Sequence, residues 1–106
     1  MRTTVITFLS FLVLTEAVDA AEIDLTKRQL TQTGHYATQV VAAKNNTGPI
    51  SALKIECGFF RGTELLAAGM GIVQNVDAGQ TVYVDVIAYH ADGLDKTECR
   101  VGNIVR

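Results

Sequence analysis

The sequence predicts an all-β domain, an antiparallel sandwich or barrel held by one disulfide. Three observations carry that prediction. From Ile23 onward the chain runs in short segments of alternating or β-branched residues, separated by Gly and Asn turns about ten residues apart. No segment shows a convincing 3.6-residue hydrophobic period. Both cysteines, Cys57 and Cys99, fall on the apolar phase of their segments.

Residues 1–20 (MRTTVITFLSFLVLTEAVDA) come first and read as an address. Arg2 precedes an apolar run from Val5 to Leu14, and Val18 and Ala20 occupy the minus-three and minus-one places before Ala21. That is the three-part pattern of a cleaved secretory signal. A run of ten is too short to cross a bilayer as a helix, which needs about 20 apolar residues. A buried helix of the domain would need a polar face, which this segment lacks. No Cys follows the cleavage site to accept a lipid. The expected organisation is a cleaved signal peptide, 1–20, then a single β domain, 21–106. No transmembrane anchor is expected after cleavage, and the destination is the periplasm or the exterior.

Charge narrows the function. The chain has 9 Lys+Arg against 11 Asp+Glu, a formal net charge of −2, and no basic run. Phosphate contacts require clustered Lys and Arg, so no nucleic-acid partner is expected.

Residues 22–31 (EIDLTKRQLT) place Ile23 and Leu25 on one side, and Gly34 then supplies a turn. Lys27 to Leu30 would also tolerate a helix. Tyr36 to Lys44 forms the next strand, ended by Asn45, Asn46, Thr47, Gly48 and Pro49, residues that tolerate φ > 0 or fix φ. In Ile50 to Phe60, Leu53, Ile55, Cys57 and Phe59 share the inward face, with Lys54 and Glu56 on the other. Arg61-Gly62 turns the chain into Thr63 to Val76. There Gly69 and Gly71 suggest a bulge, or two short strands meeting at Met70. After the turn Asp77-Ala78-Gly79-Gln80, Val82, Val84, Val86 and Ala88 line one face, and Thr81, Tyr83, Asp85, Ile87 and Tyr89 the other. The loop His90 to Lys96 centres on Asp92-Gly93, and the last strand, Thr97 to Val105, turns Cys99 and Val101 inward.

An exported chain meets an oxidising compartment, and two lone cysteines with 41 residues between them allow one pairing. The geometry suits a bridge through or beside the core. A zinc site would call for four ligands with close pairs, and neither cysteine has a His nearby in sequence.

The order VVAAKNNTG, LKIECGFFRGTELL, a small-residue stretch and NVDAGQTVYVDV resembles the small bacterial immunoglobulin-like domains of the FxLYD type over about residues 35–90. Asn45 and Asn46, Phe59 and Phe60 before Arg61-Gly62, and Gly79 before Tyr83 carry the match. The aromatic-Leu-Tyr-Asp string itself is absent, Phe60-Arg61 stands for its Tyr-Asp pair, and the Gly79 turn lacks a neighbouring Pro. The resemblance implies an immunoglobulin-like antiparallel β-sandwich of six to seven strands, used as a binding, spacer or accessory module, and no particular activity.

The residues for catalysis are few. Ser51 lacks the Gly-x-Ser-x-Gly elbow, and His35 and His90 flank strands without diagnostic neighbours. His90-Ala91-Asp92 offers two ligands on one side, with no third adjacent in sequence, and DGLDK lacks the spacing of a calcium loop. Asn45-Asn46-Thr47 matches a glycosylation acceptor but is explained by a turn. No catalytic residue, metal site or cofactor is therefore expected.

One feature exceeds background. With Val82, Val84, Val86 and Ala88 inward, Tyr83, Ile87 and Tyr89 face outward, as does Phe60 on its own strand, and exposed aromatics are the usual material of recognition surfaces. These four residues are the candidate binding surface, and Cys57 and Cys99 the disulfide. The expectation is a non-catalytic binding or accessory module recognising a protein or envelope component. The alternatives are a structural or assembly subunit, homo-oligomeric through an edge strand, and a small secreted hydrolase inhibitor acting through the loop His90 to Lys96.

Overall fold

The computed structural model describes residues 22–106; the expected signal peptide, 1–20, lies outside the described residues. Six strands follow in order: β1 (Ile23–Thr33), β2 (Tyr36–Asn45), β3 (Ile50–Arg61), β4 (Glu64–Val76), β5 (Thr81–Tyr89) and β6 (Lys96–Val105). They form two three-stranded antiparallel sheets, β1-β2-β5 and β4-β3-β6. β1, β2 and β5 take the places of strands A, B and E of an immunoglobulin-like sandwich, and β4, β3 and β6 those of C′, C and F.

Two hairpins join strands within the sheets. Thr33 pairs with Tyr36 and Arg61 with Glu64, leaving the two-residue turns Gly34-His35 and Gly62-Thr63. Gly34 (φ 59°) and Gly62 (φ 61°) supply the left-handed first position that lets such a turn follow the right-handed strand twist. The other connections pass between sheets, so consecutive strands after each hairpin bury their apolar phases against each other. Val41, Ile50, Leu53, Ile55, Phe59, Val76, Val84 and Val86 form the centre of the core. Fully burying a side chain the size of Phe59 contributes about 2–3 kcal/mol.

The first strand is extended throughout, including Lys27 to Leu30, and its irregularity is a bulge: the pairing with β2 shifts between Lys27 and Leu30. Thr63 to Val76 is neither split nor bulged at Met70. β4 is continuous, and its register shift falls opposite Phe59 and Phe60. Gly69 and Gly71 have a different purpose. A Cβ on Gly69 would stand 2.3 Å from the Ile87 carbonyl oxygen, and one on Gly71 2.5 Å from Val84 Cγ1 and 2.8 Å from the Asp85 carbonyl oxygen. Their bareness lets β4 lie against the backbone of β5 and close that seam of the sandwich.

Cys57 and Cys99 are bonded. They are direct cross-strand partners on β3 and β6, so the bridge lies within one sheet, beside the core and on its inner face. Beyond Val101 the pairing of β6 with β3 slips by one residue at Gly102, which returns Ile104 to the inner face.

Candidate functional site

The outer face of the β1-β2-β5 sheet presents the aromatics. Along β5 the period of two sends Val84, Val86 and Ala88 into the core and leaves Tyr83, Ile87 and Tyr89 exposed, at 63%, 42% and 65%. β2 adds a residue not singled out in the sequence, Tyr36, which is the register partner of Tyr89. The two rings lie 6.0 Å apart between centroids and tilted by 50°, within the range in which aromatic pairs attract. Nothing in the spacing of Tyr36 marks it; only the β2-β5 register brings it to Tyr89. Thr38 lies opposite Ile87 and Ala42 opposite Tyr83, so the neighbours of the aromatic residues on β2 are small and leave the rings standing proud.

Phe60 does not join them. It lies on β3, on the outer face of the other sheet, half-buried beneath the Lys96 ammonium, which stands 5.6 Å from the ring centroid. An open cavity of about 710 Å³ is lined by Glu56, Gly58, Phe60, Leu65, Met70 and Glu98 among others. Gly58 leaves room for the Phe60 ring, since a Cβ there would stand 2.8 Å from Phe60 Cε1. Leu65, Met70 and Ile72 of β4 are each 57% exposed. In the sequence this apolar outer phase is masked by Gly69 and Gly71, which alternate with Met70 and Ile72.

The loop between β5 and β6 is fastened to the neighbouring hairpin. The Gly62 amide donates to both Asp95 carboxylate oxygens, at 3.2 and 3.0 Å, and the Asp95 amide to the Phe60 carbonyl at 2.8 Å. At its other end the fold supplies the neighbour that His90-Ala91-Asp92 lacked in sequence. The hairpin turn sets His35 Nδ1 3.3 Å from Asp92 Oδ2, with the His35 and His90 ring centroids 6.4 Å apart. The His35 and Asp92 side chains are largely exposed, and among the described residues no group of three or more His, Cys, Asp or Glu side chains is arranged to hold a metal ion. Ser51 is an exposed position on β3.

Asn45 is 1% exposed, and its side chain organises the β2-β3 connection. Nδ2 donates to the carbonyls of Gly48, Asp77 and Val76 at 3.0, 3.1 and 3.3 Å, and Oδ1 accepts from the Thr47 amide and hydroxyl at 2.9 and 2.8 Å. The nitrogen that glycosylation would modify is thus buried and engaged, and Thr47 serves the same turn.

No helix among the described residues is long and apolar enough to cross a membrane. No family model, curated protein or solved structure matches the chain. The protein is thus defined by its architecture, an all-β, two-sheet domain with one intra-sheet disulfide.

Proposed function

We propose that this protein is an exported, non-catalytic binding module that recognises a protein or another component of the cell envelope. The reading is carried by one observation: Tyr36, Tyr83, Ile87 and Tyr89 are exposed together on the outer face of one sheet. Tyrosine supplies a large amphipathic contact at low entropic cost, and a rigid sheet presents it without reordering the backbone. The leader-like residues 1–20 and the disulfide favour the periplasm or the exterior, and the resemblance to FxLYD-type domains favours an accessory role.

The test is capture of partners from a crosslinked extract of the native host, using the tagged protein beside its Tyr83→Ala and Tyr89→Ala variants. A saturable partner held by the parent and released by the variants supports the reading. Turnover by the purified protein that is abolished by changing His35 or His90 overturns it.

A further inference from the structure

Of the four sheet edges among the described residues, three are guarded. β4 and β5 cover each other through Gly69 and Gly71, and the edge of β1 is broken by the bulge between Lys27 and Leu30. β6 differs. Among the described residues no strand lies on its outer side, where the immunoglobulin arrangement places a further strand beside F. Beside it the two sheets part, leaving a groove of about 510 Å³ lined by Ile23, Leu25, Val101 and Ile104 together with the charged Glu22, Asp24 and Arg100.

The pairing with β3 determines which backbone groups this edge presents. Cys57 and Cys99 stand opposite each other with Cα atoms 4.0 Å apart, the close spacing of a non-hydrogen-bonded pair. Phe59-Thr97 and Ile55-Val101 are of the same type, because pair types alternate along an antiparallel ladder. The N–H and C=O groups of Thr97, Cys99 and Val101 therefore point away from β3, toward the free edge. Lys27 Nζ donates to the Thr97 carbonyl from that side.

We infer that the free edge of β6 pairs with β6 of a second copy, antiparallel about a two-fold axis at Cys99, giving one continuous sheet across two protomers. In this register Thr97 meets the partner's Val101, Cys99 meets the partner's Cys99, and each pair exchanges both of its hydrogen bonds. On the outer face Glu98 then lies directly opposite the partner's Arg100, twice by symmetry, at the close spacing where opposite charges attract. Slipping the register by two in one direction sets Glu98 against the partner's Glu98; slipping it in the other sets Arg100 against the partner's Arg100. The alignment that engages all three edge residues is also the one that matches the charges. The Lys27 ammonium leaves the Thr97 carbonyl, which takes the partner's Val101 amide instead. This pairing goes beyond the aromatic-face reading and does not depend on it.

Sedimentation of the protein expressed from its full sequence, from micromolar to millimolar concentration, tests the pairing. A reversible dimer is expected. Glu98→Arg and Arg100→Glu should each weaken it about tenfold, because two attractive pairs become repulsive. An equimolar mixture of the two variants restores opposite charges at both positions and should form the heterodimer. The variants' folding is checked by melting temperature. In hydrogen exchange, the Cys99 and Val101 amides should gain protection as concentration rises. A protein that stays monomeric throughout overturns the inference. So does a dimer that both variants leave unchanged, or one whose Cys99 and Val101 amides exchange as fast as in the monomer. Partner capture through Tyr83 would survive any of these failures.

Discussion

Thr97 Oγ1 donates a hydrogen bond to Gln39 Oε1 at 2.5 Å, tying β6 of one sheet to β2 of the other inside the sandwich. Gln39 is 2% exposed, and its Nε2 donates to the carbonyls of Val40 and Arg28 at 3.0 and 3.1 Å and reaches that of Gln29 at 3.4 Å. Arg28 and Gln29 are the residues of the β1 bulge and have no register partner on β2. One buried amide therefore satisfies the bulge and links the sheets.

Gln39→Leu keeps the volume but orphans these groups, and should destabilise the domain by about 2–3 kcal/mol. Pairing it with Thr97→Val should cost less than the sum of the two single changes, because the double variant removes both ends of the bond. Urea unfolding of the four proteins measures the coupling.

Breaking the disulfide should be more damaging. The bridge closes a loop with a sequence separation of 42, which on the chain-entropy model restricts the denatured state by roughly 4 kcal/mol. A domain of this size has a total stability of the order of 5–10 kcal/mol. Cys57→Ser should consequently be unfolded or strongly destabilised at 37 °C, as read by circular dichroism on heating. A variant that melts with the parent would show the bridge to be dispensable.

The β4-β5 seam should respond to a single methyl group. Gly69→Ala sets a Cβ against the Ile87 carbonyl, a backbone atom that cannot swing aside, so β4 must pull away. A loss of about 1–3 kcal/mol is expected. Gly48→Ala is the control, because nothing lies within 4 Å of the added carbon. Equal stability of the two variants in chemical denaturation would count against a tight seam.

The aromatic face should behave as surface. Tyr83→Ala and Tyr89→Ala should change stability by no more than about 0.5 kcal/mol for Tyr83, and somewhat more for Tyr89, which also loses its contact with Tyr36. Partner affinity should fall markedly in both. Calorimetry of each variant alone, and titration with the captured partner, separates the two effects.

Local pattern determined much of this protein. The alternation of Val84, Val86 and Ala88 with Tyr83, Ile87 and Tyr89 told inside from outside, because a strand has only two faces and apolar burial chooses between them. The same periodicity turned Cys57 inward, and Gly34 and Gly62 marked the hairpins through the φ values their turns require. Tertiary structure decided whatever depended on register or on contact across a seam. It separated Phe60 from the tyrosines by assigning β3 and β5 to different sheets, and it paired Tyr36 with Tyr89. It turned Gly69 and Gly71 from apparent strand breakers into a contact surface for β5. It also made Gln39, an ordinary polar residue in sequence, the buried link between sheets. The division has a physical cause: the face of a strand is set by neighbours two residues away, whereas its partner is set by the packing of the whole chain.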